Sequence, residues 1–412
     1  MNILFLHRNF PAQFRHLAVH LAKDPKNKVA FITNRKEYGI PGVIKVVYDL
    51  KREVPKETHR YLRFYEESIN HAQSAAEAAL SLKAHGFVPD IIYGHSWGPN
   101  MFMKDIFPDS VLLVYFEWFY NAHGSDVDFV NPKSVTINTE ANLRVKNSHI
   151  LVDLYSCDHG TSPTHWQHRQ FPKEYRDKIS VIHDGIETDY CMPNPDTKLV
   201  IPQINLDLSN VDEIVTYVGR GMEPYRGFPQ FMESVEILLK KRSNCHVVIV
   251  GEDRVCYGGQ LPDGKTFKQL MLENLDLDMT RVHFTGHIPY NDYLKVLQVS
   301  KAHIYLTYPF VLSWSVLEAM SAGCVIIGSN TEPVREVIKD GYNGYLTDFF
   351  SPSKIADKVC EVLDSPEEEL AYIRANARQT ILDNYDLNKL LPKQLALFDS
   401  LINEKRKTVK LK

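Results

Sequence analysis

Thr216-Tyr217-Val218-Gly219-Arg220-Gly221-Met222-Glu223-Pro224-Tyr225-Arg226-Gly227 reads as a strand, a glycine-containing loop with two arginines, and then a helix opening near Phe228. Such a junction suits anions. Loop glycines let a ligand approach the backbone, a helix N-terminus directs N–H groups and the positive end of its dipole outward, and two guanidiniums six residues apart can converge on a diphosphate. On residue type alone, both arginines also read as solvated loop charges.

Working outward, short apolar runs alternate with amphipathic stretches along the whole chain, the pattern of βαβ units and parallel sheets. Expected strands are Ile3–His7, Val29–Thr33, Ile44–Tyr48, Ile91–Tyr93, Val111–Phe116 and Ile179–Ile182, with helices at Pro11–Ala22, Thr58–His85 and Thr136–Tyr155. A second series runs Ile214–Val218, helix Phe228–Lys241, His246–Val250, Val282–Thr285, His303–Thr307 and Cys324–Gly328, then helices Glu367–Asn384 and Leu387–Glu404. The class is α/β, with domains expected at 1–190 and 191–386 and the helix 387–404 packing back on the first. The hinge is expected in Met192–Leu208, which carries Pro193, Pro195 and Pro202.

The 412 residues are enough for two or three domains, and 44% apolar with 24% charged residues is an ordinary globular composition. A net charge of −4 supplies no global field for nucleic acid or anionic lipid, so a phosphate site must be local. Six cysteines without a C-x-x-C pair read as packed thiols in a reducing cytoplasm. No eighteen apolar residues run together, so no transmembrane segment is expected. Cys157, His159, His165 and His168 fit no zinc spacing, and no metal is expected. The basic tail Lys405–Lys412 reads as a frayed, solvated terminus, with peripheral contact at the inner face of an anionic membrane as the second reading.

A second strand-loop-helix constellation ends in Leu317-Glu318-Ala319-Met320-Ser321-Ala322-Gly323. A carboxylate among apolar neighbours needs partners. A ligand's hydroxyl pair and a structural hydrogen bond are equal readings for Glu318. In the first half, His95 follows the strand Ile91–Tyr93 and Glu117 follows Val111–Phe116, at the carboxyl ends where open α/β sheets bind ligands. Each also reads as a satisfied structural residue. Gln13 lies in the first βα turn, beside Pro11 at a helix start.

These motifs together resemble the GT-B retaining glycosyltransferases of family 4. The resemblance rests on Gly219, Arg220, Arg226 and Gly227, on Val248-Ile249-Val250-Gly251-Glu252, on Phe284-Thr285-Gly286-His287-Ile288, on the Glu318 segment and on Asp340-Gly341-Tyr342-Asn343-Gly344. Asn9–Phe14, Gly94–Gly98, Tyr115–Glu117 and Ser162–Gln167 look like a bacterial subgroup, and Ile182-His183-Asp184-Gly185-Ile186 resembles the family's interdomain turn. The resemblance implies two Rossmann-like domains facing a cleft and a nucleotide-diphosphate sugar as co-substrate, with no separate cofactor.

It also implies roles. Arg220 and Arg226 hold the diphosphate, beside Gly219, Gly251 and Glu252; their removal should leave folding intact. Glu318 takes the ribose hydroxyls, and His287 with Ile288 lies at the base. The family's histidine at this point implies that His95 lies against the donor sugar. By their places at the first βα turn and the strand ends, and not by the resemblance, Gln13, His95 and Glu117 are the candidates to face the acceptor, a saccharide, a lipid-linked or a protein one. Arg220, Arg226, His95 and Glu117 are the catalytic candidates. Eight residues before Glu318, where the family has a second glutamate, stands Phe310. Ser313 and Ser315 are candidates to supply hydroxyls to the donor there. The implied reaction is retaining sugar transfer in bacterial surface-polysaccharide or glycoconjugate assembly. An epimerase or phosphorylase of the same fold, or a non-catalytic sugar-nucleotide-binding protein, are the competing readings.

Overall fold

The structure is a computed structural model that describes residues 1–410, with side chains through Lys407. The chain divides into two units, one made of Met1–Gly185 with the segment from Asn388 onward, the other of Ile186–Leu387.

In the first unit the strands are β1 (Asn2–Leu6), β2 (Lys28–Thr33), β3 (Val43–Val47), β4 (Ile91–His95), β5 (Val111–Tyr115), β6 (His159–Ser162) and β7 (Ile179–Val181). They form one sheet in the order β3-β2-β1-β4-β5-β6-β7, and the pairs are parallel. Central strands of a parallel sheet are covered on both faces, which is why Ile3-Leu4-Phe5-Leu6 is apolar without interruption. Alternation still sorts the side chains. Leu4, Leu6, Ala30 and Ile32 enter one core cluster, and Ile3, Phe5, Val29 and Phe31 enter the other. The second cluster is completed by Phe398 and Ile402 from the C-terminal helix Leu387–Lys410, with Phe398 edge-on to Tyr93 at 5.6 Å. Burying a side chain of that size contributes about 1.5–3 kcal/mol.

The second unit begins with a small antiparallel pair, β8 (Val200–Ile201) and β9 (Leu206–Asp207). Its main strands are β10 (Ile214–Gly221), β11 (His246–Glu252), β12 (Val282–Gly286), β13 (Ala302–Tyr305), β14 (Ile326–Ser329) and β15 (Tyr345–Thr347), in the order β12-β11-β10-β13-β14-β15. Each large sheet therefore has its own first strand, β1 or β10, inside the sheet, with the order reversing beside it, the arrangement that opens a ligand crevice at the strand carboxyl ends. The helix Phe228–Lys241 buries Phe228, Phe231, Met232, Val235, Leu238 and Leu239, one stripe at helical spacing. Gly227 precedes it at φ 62°, where a Cβ would lie 2.5 Å from that of Leu306.

Several expectations are corrected. The chain passes between the units at Gly185/Ile186, not in Met192–Leu208, because Leu199, Ile201, Leu206 and Leu208 of that stretch are buried in the second unit's core. Thr136–Tyr155 is two helices, Ile137–Lys146 and Ser148–Ser156. Asn147 between them bonds the backbone of Tyr120 in both directions, its Oδ1 accepting at 3.0 Å and its Nδ2 donating at 2.8 Å. The expected strands also omit β6, β15 and the short pair β8 and β9. The tail is helical to Lys410 and held by ion pairs, Lys405 to Asp158 at 3.0 Å and Arg406 to Asp90 at 2.9 Å, and is not frayed there. Leu411 and Lys412 lie outside the described residues.

Candidate functional site

In the second unit the candidate residues gather at the carboxyl ends of β10 to β13. Gly251, at φ 147°, lies so close to β10 that a Cβ there would sit 2.1 Å from the Gly219 carbonyl oxygen, so the two strand tips meet as bare backbone. Arg220 projects there as an exposed cation. Glu252, next to Gly251, is ion-paired with Arg254.

Arg226 is different from Arg220. Its residue is 7% exposed, and Nη1 donates toward Thr307 Oγ1 at 2.8 Å, the Val311 carbonyl at 3.0 Å and Tyr305 Oη at 3.2 Å. Its guanidinium lies 5.4 Å from the Tyr257 ring centroid. The structure thus separates two arginines that the motif treats alike: one offers its charge outward, and the other ties the loop to β13 and the segment after it. These inward bonds argue against the expectation that removing Arg226 leaves folding intact.

Glu223 escaped the sequence reading, although an acidic residue between two arginines is a visible signal. It is buried, its Oε2 accepts from the backbone N–H of Cys256 at 2.5 Å and of Tyr257 at 2.6 Å, and Oε1 makes no hydrogen bond among the described residues. Burial is the main influence on its carboxyl, raising it above the usual range against those two bonds. Phe310, where the family has a glutamate, is buried edge-on against Tyr225 at 5.3 Å and Tyr257 at 5.2 Å. An aromatic cluster fills that position.

Glu318 lies on the helix Trp314–Ser321 and is held by two tyrosines from the helix Tyr290–Gln298. Tyr290 donates to Oε1 and Tyr293 to Oε2, each at 2.6 Å. Burial raises its carboxyl above the ordinary value while these bonds pull the other way. Each oxygen keeps a second lone pair for a further donor. Ser313 caps the helix, its Oγ accepting from Ser315 N–H at 3.3 Å and lying 2.9 Å from Ser315 Oγ, so these hydroxyls serve one another. His287 is exposed just beyond β12, and Ile288 is buried beside it.

In the first unit Gln13, His95 and Glu117, 104 residues apart at the extremes, come together. Gln13 Nε2 donates to Glu117 Oε1 at 3.0 Å, and Glu117 Oε2 lies 3.7 Å from His95 Nε2. The Glu117 backbone carbonyl accepts from Gln167 at 2.8 Å. His95 is fully buried, between His7 and Trp97 at 4.5 and 4.4 Å between ring centroids, and burial pushes its imidazole well below the ordinary value. It is a neutral ring beside a carboxylate that water can reach. At the end of β5, Tyr115 donates to Asp184 at 2.7 Å, which joins two of the sequence motifs.

A model described as glycosyl transferase family 4 group matches residues 25–191, and one described as glycosyl transferases group 1 matches residues 205–380. Sucrose-phosphate synthase of Thermosynechococcus elongatus superposes with a TM-score of 0.72 at 16% identity, over 98% of this chain and 100% of that one. The chain is a glycosyltransferase of GT-B fold. The glycosyltransferase is 21% identical to an uncharacterised glycosyltransferase of Methanocaldococcus jannaschii over 345 residues, 74% of this chain and 82% of the relative. It shares its fold with Anabaena HepE, solved with UDP-glucose, at a TM-score of 0.67 and 14% identity over the whole of both chains. Among the described residues, no helix is long and apolar enough to cross a membrane.

Proposed function

We propose that the glycosyltransferase moves a sugar, with retention of configuration and without a metal, from a nucleotide-diphosphate donor to an acceptor hydroxyl. The observation that carries this is the second unit's bare strand tip, where Gly219 meets Gly251 and Arg220 stands exposed beside it. That tip receives the diphosphate: backbone N–H groups and Arg220 stabilise the leaving group as its charge grows. Arg226 holds the loop in that shape, and Glu318, oriented by Tyr290 and Tyr293, takes the ribose hydroxyls. Retention proceeds by same-face attack, with the departing diphosphate accepting the acceptor's proton. Glu117 with neutral His95 orients the acceptor hydroxyl.

Binding of UDP and UDP-glucose by HepE supports a uridine diphosphate donor as the first to test. The setting proposed, bacterial surface-polysaccharide or glycoconjugate assembly, rests on how often the family serves it, and the six unpaired thiols support a reducing, cytoplasmic setting. The test is release of UDP from UDP-glucose against a panel of saccharide, lipid-linked and protein acceptors. Release only with acceptor supports transfer. Phe310 favours one competing reading, a non-catalytic binder, for which UDP would bind without turnover under every acceptor.

A further inference from the structure

Arg8 directly follows β1 and His7, and the roles assigned above leave it unused. Its side chain is 15% exposed. Nη1 meets Glu67 Oε1 at 3.1 Å, Nη2 meets Ser68 Oγ at 3.4 Å, and Nε makes no hydrogen bond among the described residues. Glu67 lies on the helix Arg63–Ala84, and its side chain is 45% exposed. A buried cation is costly unless firmly paired, and this one is answered by a single carboxylate that water already surrounds. Burial draws the guanidinium below its ordinary value, the largest influence on it, and Glu67 only partly opposes that.

Four groups that the Arg8 charge acts on supply no anion. Tyr48 is pushed up, and His71, His95 and His149 are pushed down, His71 to about 3 and His149 to about 4, so all are neutral near pH 7. Both ring nitrogens of fully buried His95 and the hydroxyl of buried Ser96 make no hydrogen bond among the described residues. At the rim Arg35 donates to Asn9 Oδ1 at 3.0 Å. A poorly compensated guanidinium with an uncommitted N–H, set among neutral polar groups at the carboxyl end of the sheet, is a receptor built for an anion.

We propose that Arg8 binds an anionic group on the acceptor, a phosphate or a carboxylate, which takes the place of Glu67 while the acceptor's hydroxyl lies toward His95 and Glu117. This rests on the acceptor reading given above for the first unit and narrows it to anionic acceptors. Glu67 then acts as a stand-in that swings to solvent when the acceptor enters.

The test uses the full chain with inorganic phosphate and glucose 6-phosphate as probes, titrated calorimetrically at constant ionic strength into wild type, Arg8→Gln and Glu67→Gln. Both probes should bind wild type, and Glu67→Gln, which removes the competing carboxylate, should bind them about tenfold more tightly. Arg8→Gln should abolish that binding and leave UDP affinity unchanged. A merely structural ion pair predicts the reverse for Glu67→Gln, namely lower stability and no gain in anion affinity, and that result overturns the proposal. So does the absence of any response in wild type. If Arg8→Gln weakens UDP as much as phosphate, the anion is the donor's own diphosphate and the acceptor assignment falls. Should Arg8→Gln fail to fold, Glu67→Gln decides alone. Failure of UDP to bind wild type, with phosphate binding intact, would count against the donor reading and not against this site.

Discussion

Arg226→Ala should unfold the second unit more easily, and the size of the effect follows from the geometry. Nη1 carries two protons shared among Tyr305 Oη, Thr307 Oγ1 and the Val311 carbonyl. Two hydrogen bonds from a charged donor at about 1.5 kcal/mol each amount to about 3 kcal/mol. Tyr305 Oη also accepts from Ser313 N–H at 2.9 Å, so the loss reaches the cap of the helix that carries Glu318. For a unit the size of Ile186–Leu387, about 3 kcal/mol corresponds to a fall of roughly 6–12 °C in melting temperature. Exposed Arg220 provides the control: Arg220→Ala should leave the melting temperature within about 2 °C of wild type and lower transfer by roughly 10²–10³-fold. Differential scanning calorimetry of both variants, with UDP-glucose turnover measured in parallel, makes the comparison. A melting temperature for Arg226→Ala as close to wild type as that of Arg220→Ala would refute the inward-facing role.

Glu318→Gln keeps the shape but gives up the charge, and should raise the dissociation constant for UDP by about tenfold while changing turnover at saturation much less, as calorimetric titration beside steady-state kinetics would show. Asp153 is buried and its carboxyl is pushed by burial from 3.8 up to about 8, so between those values the folded chain holds a proton that the unfolded chain has released. Its contribution to stability is therefore full below about pH 4 and is lost as pH rises toward 8, at about 1.4 kcal/mol per pH unit. Asp153→Asn should flatten that slope in urea titrations run from pH 5 to 8. Activity should survive EDTA, because an arginine and backbone N–H groups fill the charge-neutralising role; loss of transfer on chelation, restored by Mn²⁺, would refute this.

The parts of the fold legible in the sequence are those where burial on both faces leaves an apolar run. Ile3–Leu6 and Val247–Val250 are such runs. β6 is His-Gly-Thr-Ser, and what makes it a strand is distant: a Cβ at Gly160 would lie 2.6 Å from the Phe116 ring, so the site is shaped by a neighbour in space. The same limit applies to the candidate site. Position on a strand end identified His95 and Glu117, but not that Gln13 would bridge to Glu117. The partners of Glu318 stand 25 and 28 residues before it, and no local period links them. Arg220 and Arg226 look equivalent in the motif; the turn Pro224–Arg226, closed by Gly227 in the left-handed region, points one of them inward.

The helix that supplies Phe398 and Ile402 to the first unit is synthesised only after the whole of the second unit. During synthesis the sheet face around Tyr93, Phe14 and Leu17 waits without that cover while the whole of Ile186–Leu387 is made, and the second unit, being contiguous, can close first. An N-terminal fragment ending at Gly185 would therefore present an uncovered apolar face. Of the two units, the one whose synthesis starts earlier is finished later.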